Sequence, residues 1–256
     1  LAEMFLEVQN VTKIFRSSEK KSIVAIKNLS LQVSRGELLC ILGPIGCGKS
    51  TLLNMIAGFE KPTSGRILLE GKEIEGPGPD RVMVFQEESL FPWMTTLDNI
   101  MFGLRLKGLS DEESRREAQR YLSLVGLEKF SAFRPHELSG GMKRKAELAR
   151  ALAINPKILL MDEPLSSIDA ISRFGLLREI IRVWEKTGKT IIYVTHNIDE
   201  ALYLADRIIV LTARPARVKR EIQVDEPRPR DLLSNAMIDL KRSLLRELAQ
   251  SHVLAE

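Results

Sequence analysis

One segment of this chain determines its architecture: Gly43-Pro44-Ile45-Gly46-Cys47-Gly48-Lys49-Ser50-Thr51. It follows an apolar run at residues 38–42 and precedes a helical pattern at residues 50–57. The spacing G-x-x-x-x-G-K-[ST] between a buried strand and a helix is that of a phosphate-binding P-loop. Glycines let backbone N–H groups wrap an anion, and the helix N-terminus adds positive potential. A glycine-rich turn without a ligand is the alternative, which this strand–helix context disfavours.

Four further apolar runs lie along the chain, at residues 82–85, 158–161, 191–194 and 208–211. None alternates apolar with polar residues, so each predicts a strand that is buried on both faces, as in a parallel sheet between helices. Three of the runs lead into polar side chains: Gln86, Asp162-Glu163 and His196. Because ligands bind at the C-terminal ends of strands in open α/β sheets, these positions are expected to belong to a ligand site.

Two other parts of the chain depart from this pattern. Apolar and polar residues alternate, as in a small antiparallel sheet beside the nucleotide site, at residues 5–11, 29–33 and 66–70. Residues 90–150, approximately, have mostly helical patterns, and Ser110-Asp111-Glu112-Glu113 is a capping box that opens one of these helices. The helical block is therefore expected to be a subdomain inserted into the core.

The end of the chain is rich in proline and arginine. It finishes in apolar residues at helical spacing: Leu233, Met237, Leu240, Leu244 and Leu248. We therefore divide the chain into a main domain, residues 1–213, and a basic segment with an amphipathic helix, residues 214–256. The basic side chains here predict a solvated surface, or contact with an anionic membrane surface or an acidic partner.

Composition limits the function classes. The 256 residues are 44% apolar and 28% charged, as in a soluble globular protein. No apolar run approaches the roughly 18–20 residues that span a bilayer, and no signal-peptide pattern is expected at the start. The net charge of +4 is weak evidence for binding nucleic acid. Cys40 and Cys47 are a poor disulfide pair, which favours a reducing cytoplasm.

A further motif separates one P-loop family from the others. Leu138-Ser139-Gly140-Gly141 precedes the apolar run that ends at Asp162-Glu163. With the P-loop, Gln86 and His196 in this order, the chain resembles the ATPase subunit of ABC transporters over most of its length. The resemblance implies an α/β fold, in which a P-loop NTPase (RecA-like) core carries a small antiparallel β subdomain and an inserted helical subdomain.

The resemblance assigns the P-loop to ATP. The loop residues that would surround the phosphates are Gly43, Pro44, Ile45, Gly46, Cys47 and Gly48. Lys49 would reach the β- and γ-phosphates as a catalytic residue, Ser50 would ligate Mg²⁺, and Thr51 would contact the α-phosphate. The family often has serine where Ile45 stands; backbone donors survive that change, so binding is expected to survive it too.

Other single residues receive roles by the same resemblance. Asp162 would hold Mg²⁺ through water, and Glu163 would orient or deprotonate the attacking water; a capping carboxylate pair is the alternative. Gln86 would ligate Mg²⁺. His196 would contact the γ-phosphate, although a lone histidine after a strand is usually structural. Phe15 would stack on adenine.

The resemblance also implies partners. Ser139, Gly140 and Gly141 would bind the γ-phosphate of ATP held by a second copy, and Asp169 would cross the dimer interface. Two chains, as a homodimer or pseudo-symmetric dimer, would then close around two ATP molecules. The family commonly has glutamine where Arg144 stands, and arginine there would affect the site or only the surface charge.

Membrane partners are implied in addition. The resemblance adds integral-membrane permease subunits, an external substrate-binding protein as an indirect partner, and a peripheral place on the cytoplasmic side of the inner membrane. Residues 91–93, Phe-Pro-Trp, would form part of an apolar docking surface for the permease, unless they are ordinary packing. No nucleic-acid partner is expected.

The transporter branch is suggested by the tail and by residues 184–190. These resemble the ATPase subunits of bacterial importers for nitrate, sulfonates and taurine, which usually have glycine where Ala216 stands. A soluble ABC ATPase acting on ribosomes or DNA is the main alternative, but such proteins typically carry two ATPase domains or long coiled-coil insertions. A small-molecule kinase would not explain the Leu-Ser-Gly-Gly motif or Asp169, and the tail argues against an exporter or lipid system.

Overall fold

The computed structural model describes residues 4–16 and 22–253, with side chains as far as residue 249. The chain forms two compact units. The P-loop unit comprises Leu1–Gly78 and Thr190–Glu256, and the helical unit comprises Pro79–Lys189. The helical unit is therefore inserted between the two stretches of the P-loop unit, and it contains the whole of the block at 90–150. The division of the chain after residue 213 stays a prediction.

The elements follow one another in chain order. They are β1 (Met4–Arg16), β2 (Ser22–Ser34), β3 (Leu38–Leu42), α1 (Lys49–Ala57), β4 (Ser64–Leu69), β5 (Lys72–Glu73), β6 (Arg81–Val84), α2 (Thr96–Leu106), α3 (Asp111–Leu124), α4 (Gly140–Ala153), β7 (Ile158–Asp162), α5 (Ala170–Thr187), β8 (Thr190–Thr195), α6 (Ile198–Leu204), β9 (Arg207–Leu211), β10 (Val218–Gln223) and α7 (Asn235–Val253). Among the described residues, none of these helices is long and apolar enough to cross a membrane.

The P-loop unit contains an antiparallel sheet with the strand order β2-β1-β4-β5. The central strand β1 pairs on both sides, since Leu6 lies opposite Val33 of β2 and Leu69 of β4. In β2, Leu29, Leu31 and Val33 are buried, whereas Ser30 and Gln32 between them are exposed. The alternating pattern thus gives the antiparallel sheet that was expected from it.

The P-loop unit also contains β3, which pairs in parallel with β8 on one side and with β9 on the other. Every residue of β3 and β8 is buried, which confirms that their continuous apolar runs form strands covered on both faces. At the far side of β9 lies β10, which is antiparallel to it. The segment after residue 213 therefore contributes an edge strand, which the sequence pattern did not indicate.

The helix α7 packs against α6, and its residues Met237 and Leu244 are buried, with 1% and 0% exposed. Leu233 was expected on the same apolar face, and this was wrong. Its side chain is 80% exposed and it precedes the helix, because the Asp231 side chain accepts a hydrogen bond from the backbone of Leu233 and holds residues 231–234 in a turn.

Two arginines of the segment are likewise not a solvated basic surface. Arg230 is 6% exposed and donates to the backbone carbonyls of Leu202 and Ala205 in the same unit. Burial, followed by the nearby Arg228, lowers the pKa of Arg230 to about 10. Arg228 pairs with Asp206 at 2.8 Å between Nη1 and Oδ1. These arginines bind the C-terminal segment to its own unit.

The helical unit contains the parallel pair β6 and β7 together with α2, α3, α4 and α5. The capping box predicted at Ser110 is present: its hydroxyl accepts from the backbone N–H of Glu113, and the Glu113 carboxylate accepts from the backbone N–H of Ser110. The Ser139 side chain caps α4 and the Asp169 side chain caps α5 by accepting from backbone N–H groups, so two residues proposed for the site also begin helices.

The packing of α7 predicts a stability difference between two adjacent leucines. Leu244→Ala removes a fully buried side chain and should lower the free energy of unfolding by about 2–4 kcal/mol. Leu245, 51% exposed, is the matched control, and Leu245→Ala should cost less than about 1 kcal/mol. Urea denaturation of both variants measures the difference. Equal losses would mean that α7 does not dock through the Leu244 face.

Candidate active site

The P-loop connects β3 to α1, and its shape depends on two glycines. Gly46 and Gly48 have φ angles of 74° and 122°, in the region that side chains disfavour. A Cβ atom on Gly48 would lie 3.1 Å from the carbonyl oxygen of Ala25 in β2 and 3.4 Å from Cβ of Ala216. The motif therefore needs glycine at position 48 both for the turn and for the close approach of two neighbouring segments.

Lys49 is the first residue of α1 and its side chain is buried, with 4% exposed. Its ammonium group donates to the carbonyl oxygens of Gly43 at 2.9 Å and Pro44 at 3.0 Å. The cation is thus held against the loop itself. The loop and its lysine form one compact positive feature at the end of a buried strand.

The N-terminus of α1 is open to an anion. Gly48 is the N-cap, and among the described residues no side chain caps this helix and no acidic residue lies in its first turn. The N–H groups of a helix's first turn and the helix dipole favour an anion there. Ile45 is 81% exposed, so the departure from serine leaves the packing of the loop unchanged, whereas Cys47 is buried. Ser50 and Thr51 lie in the first turn of the helix.

His196 follows β8 and its side chain is exposed, while both neighbours are anchored. The Thr195 hydroxyl donates to the Glu200 carboxylate at 2.8 Å, and the Tyr193 hydroxyl donates to the same carboxylate at 2.9 Å. Asn197 caps α6 by accepting from the backbone N–H groups of the next turn. The buried Glu200 was missed by the sequence reasoning; its place three residues after an N-cap asparagine was the available signal.

Phe15 lies near the end of β1 and is 39% exposed. The Lys13 ammonium nitrogen is 5.0 Å from the centre of the Phe15 ring. Lys13 thus covers part of one face, and the partial exposure of the residue is what stacking on a base requires. Phe15, the P-loop and His196 all belong to the P-loop unit.

The remaining proposed site residues belong to the helical unit. Asp162 is the last residue of β7 and is 8% exposed. Glu163 follows with φ of 42°, a left-handed conformation that non-glycine residues rarely adopt. Such strain persists where surrounding structure enforces it, and it concentrates at functional sites. The left-handed conformation of Glu163 also turns the chain directly after β7. A capping role for this carboxylate pair does not explain that conformation.

Gln86 lies in an exposed stretch after β6, which we call the Gln86 segment and define as residues 85–89. Within the helical unit, the Gln86 amide and the Asp162 carboxylate carry oxygen donors, the kind of ligand that Mg²⁺ prefers. Within the described part of the chain there is no group of three or more His, Cys, Asp and Glu side chains that could hold a metal ion.

The motif Ser139-Gly140-Gly141 forms the exposed start of α4, where the Ser139 hydroxyl accepts from the backbone N–H of Met142 at 3.3 Å. No acidic residue lies in the first turn of this helix within the described chain. Asp169 is also exposed, and hydrogen bonds from the backbone and side chain of Ser172 lower its pKa. Arg144, further along α4, is 6% exposed and is therefore not a surface charge.

The comparisons with known proteins agree with these features. The family model described as ABC transporter matches residues 26–166. The nitrate import ATP-binding protein NrtD of Synechocystis sp. is 43% identical over 239 residues, which are 93% of this chain and 90% of NrtD. The taurine import ATP-binding protein TauB of Pelagibacter ubique is 44% identical over 213 residues, which are 83% of this chain and 80% of TauB.

A solved structure extends the comparison to the fold. The dimeric ATP-binding cassette MJ0796, in a post-hydrolysis state bound to ADP and Pi, is similar with a TM-score of 0.75 at 34% identity. The similarity covers 87% of this chain and 100% of that one. The chain belongs to the ABC transporter family, as an ATP-binding subunit that hydrolyses ATP with Mg²⁺ as its cofactor.

Proposed function

We propose that this chain drives the import of a small anion such as nitrate, a sulfonate or taurine. The observation that carries the substrate class is the similarity to nitrate and taurine import proteins over 93% and 83% of the chain. It would act as a peripheral subunit on the cytoplasmic side of the inner membrane. Residues 1–213 would form the ATPase domain, with 214–256 appended to it. The same relatives give no support to action on ribosomes or DNA.

The chemistry proposed for the site is charge stabilisation and positioning. Lys49 would neutralise charge on the β- and γ-phosphates, and its burial against the loop supports that role. Glu163 would orient or deprotonate the attacking water, and His196 would contact the γ-phosphate. Ser50, Gln86 and Asp162 would hold the Mg²⁺ that offsets the phosphate charge. The remaining P-loop residues would contribute backbone donors, and Phe15 would stack on the adenine.

A second copy of the chain would complete each site. The exposed N-terminus of α4 at Ser139-Gly140-Gly141 offers N–H donors to an anion held elsewhere. Asp169 is exposed and negatively charged, as an interface residue that crosses between subunits would be. The similar cassette is dimeric with ADP and Pi. We therefore propose that two chains close head to tail around two ATP molecules.

A groove in the helical unit supports a membrane partner. It has a volume of about 400 Å³, and apolar side chains line most of it, including Phe85, Phe91, Phe102 and Leu106. Leu106 is 75% exposed and Phe85 is 41% exposed. An apolar helix from a permease subunit would cover these side chains. The external substrate-binding protein would act through that permease and would not touch this chain.

Replacing the P-loop lysine tests the site. Lys49→Ala should lower kcat/KM for ATP hydrolysis by at least about 100-fold, because the charge on the phosphates loses its fixed cation. Lys72, exposed on β5, supplies the control, and Lys72→Ala should leave turnover within about twofold of the original. Unchanged turnover in Lys49→Ala would remove Lys49 from the site.

Replacing Glu163 tests the dimer. Glu163→Gln should retain ATP binding but hydrolyse it at least about 100-fold more slowly, so the closed dimer should accumulate. Size-exclusion chromatography should give a dimer with ATP and Mg²⁺ and a monomer with ADP. Glu185→Gln, a matched change at an exposed position of α5, should behave as the unaltered protein does. A monomer of Glu163→Gln under both conditions would contradict the closed dimer.

Co-purification tests the transporter assignment. The tagged chain should be extracted from native membranes in mild detergent with ATP, and its partners identified by mass spectrometry. We expect a polytopic membrane protein, and Leu106→Asp in the groove should reduce its recovery at least about fivefold because a charge then faces the apolar helix. Ribosomal or DNA-repair proteins without a membrane protein would contradict import and leave the ATP chemistry intact.

A further inference from the structure

A buried ion pair ties the Gln86 segment to α4. Arg144 and Glu147 are 6% and 2% exposed, and Nη1 of Arg144 lies 2.8 Å from Oε2 of Glu147. The guanidinium also donates to the backbone carbonyl oxygens of Phe85 at 3.1 Å, of Glu87 at 3.4 Å, and of Gln86 between them. One planar cation thus holds three successive carbonyl groups of the segment that presents Gln86.

Ser89 attaches the other end of the same segment. Its backbone N–H donates to Oε1 of Glu147 at 2.6 Å, so the two carboxylate oxygens bind different partners. Arg150 donates to the carbonyl oxygen of Ser89 at 2.7 Å and to its hydroxyl at 2.6 Å. Arg144, Glu147 and Arg150 are spaced three residues apart and share one face of α4. The whole Gln86 segment is therefore bonded to this face.

The network joins two features that the proposed function needs. Ser139-Gly140-Gly141 begins α4, and Arg144 lies about one turn further along the same rigid helix. Phe85, Ser89, Glu147 and Arg150 also line the groove proposed for the permease. A displacement of the groove wall must therefore either move α4 or break several partly buried hydrogen bonds.

A purely stabilising ion pair is the competing explanation. Buried ion pairs are weak evidence for stability, because desolvation offsets much of their attraction. The attraction between Arg144 and Glu147 also does not require three further carbonyl contacts. Those contacts use the planar fork of donors that arginine has and lysine lacks. This difference separates the two explanations experimentally.

We propose that Arg144 is a positioning residue which, together with Glu147, makes the Gln86 segment and the N-terminus of α4 move together. A permease that displaces the groove wall would therefore also displace Ser139-Gly140-Gly141, which are proposed to bind ATP of the second subunit. The proposal rests on the roles proposed above for Gln86 and for Ser139-Gly140-Gly141. Arg144 itself is assigned no contact with ATP.

The test uses Arg144→Lys, which keeps a cation beside Glu147 but loses the planar fork. Amide hydrogen exchange of the full chain without nucleotide should speed up at least about 10-fold at Ser89, whose N–H donates to Glu147, and stay within about twofold elsewhere. The kcat for ATP hydrolysis should fall about 10-fold, while KM for ATP changes less than about twofold. Arg120→Lys on α3 is the matched control, since that side chain is 77% exposed, and neither measurement should change.

A second variant guards against misfolding. Arg144→Met combined with Glu147→Leu removes both charges at once, so that no buried charge is left alone. It should show the same fast exchange at Ser89 and the same loss of kcat. Unchanged exchange there in both variants would overturn the proposal, as would faster exchange throughout the chain or faster local exchange with normal kcat. An unaltered protein that hydrolyses no ATP would instead refute the proposed function, and the exchange result would still decide whether Arg144 holds the segment.

Discussion

The turn between β3 and α1 is the constraint on which the rest of the molecule depends. A multiply charged anion needs converging N–H donors and a fixed cation, and this turn supplies both within a few residues. Gly48 can adopt its φ of 122° only without a side chain, and the same absence lets Ala25 and Ala216 approach the loop. The carbonyl oxygens of Gly43 and Pro44 in the loop then hold the Lys49 ammonium group in place.

The P-loop and the strand beside it are also bonded to the C-terminal segment. The backbone N–H of Ala216 donates to the carbonyl oxygen of Ala25, and Arg214 donates to the carbonyl oxygen of Gly46 in the P-loop. The strand β10 and the helix α7 continue from this contact over the same unit. The C-terminal residues that suggest the importer branch therefore begin beside the phosphate-binding loop. Because they are bonded to that loop, they are not only a solvated extension.

Much of the fold was predictable because its signals are local. Continuous apolar runs such as residues 191–194 gave buried strands, and Ser110 gave a helix start that depends only on its own capping box. The site motifs were equally local, and the roles given to individual residues stay predictions. Long-range burial was not predictable: β10 is a charged edge strand, and Arg230 is buried by carbonyl groups about 25 residues away in sequence.

Arg144 shows why the remaining part escapes sequence reasoning. Arginine and glutamate three residues apart on a helix are ordinarily a solvated surface pair worth little. Here both are buried, and the Arg144 guanidinium donates to three successive carbonyl oxygens of the Gln86 segment. A residue at this position must therefore satisfy the main chain of a neighbouring segment. The identity of residue 144 therefore determines how firmly the Gln86 segment is attached to α4. This role depends on hydrogen bonds within the subunit and not on its surface charge.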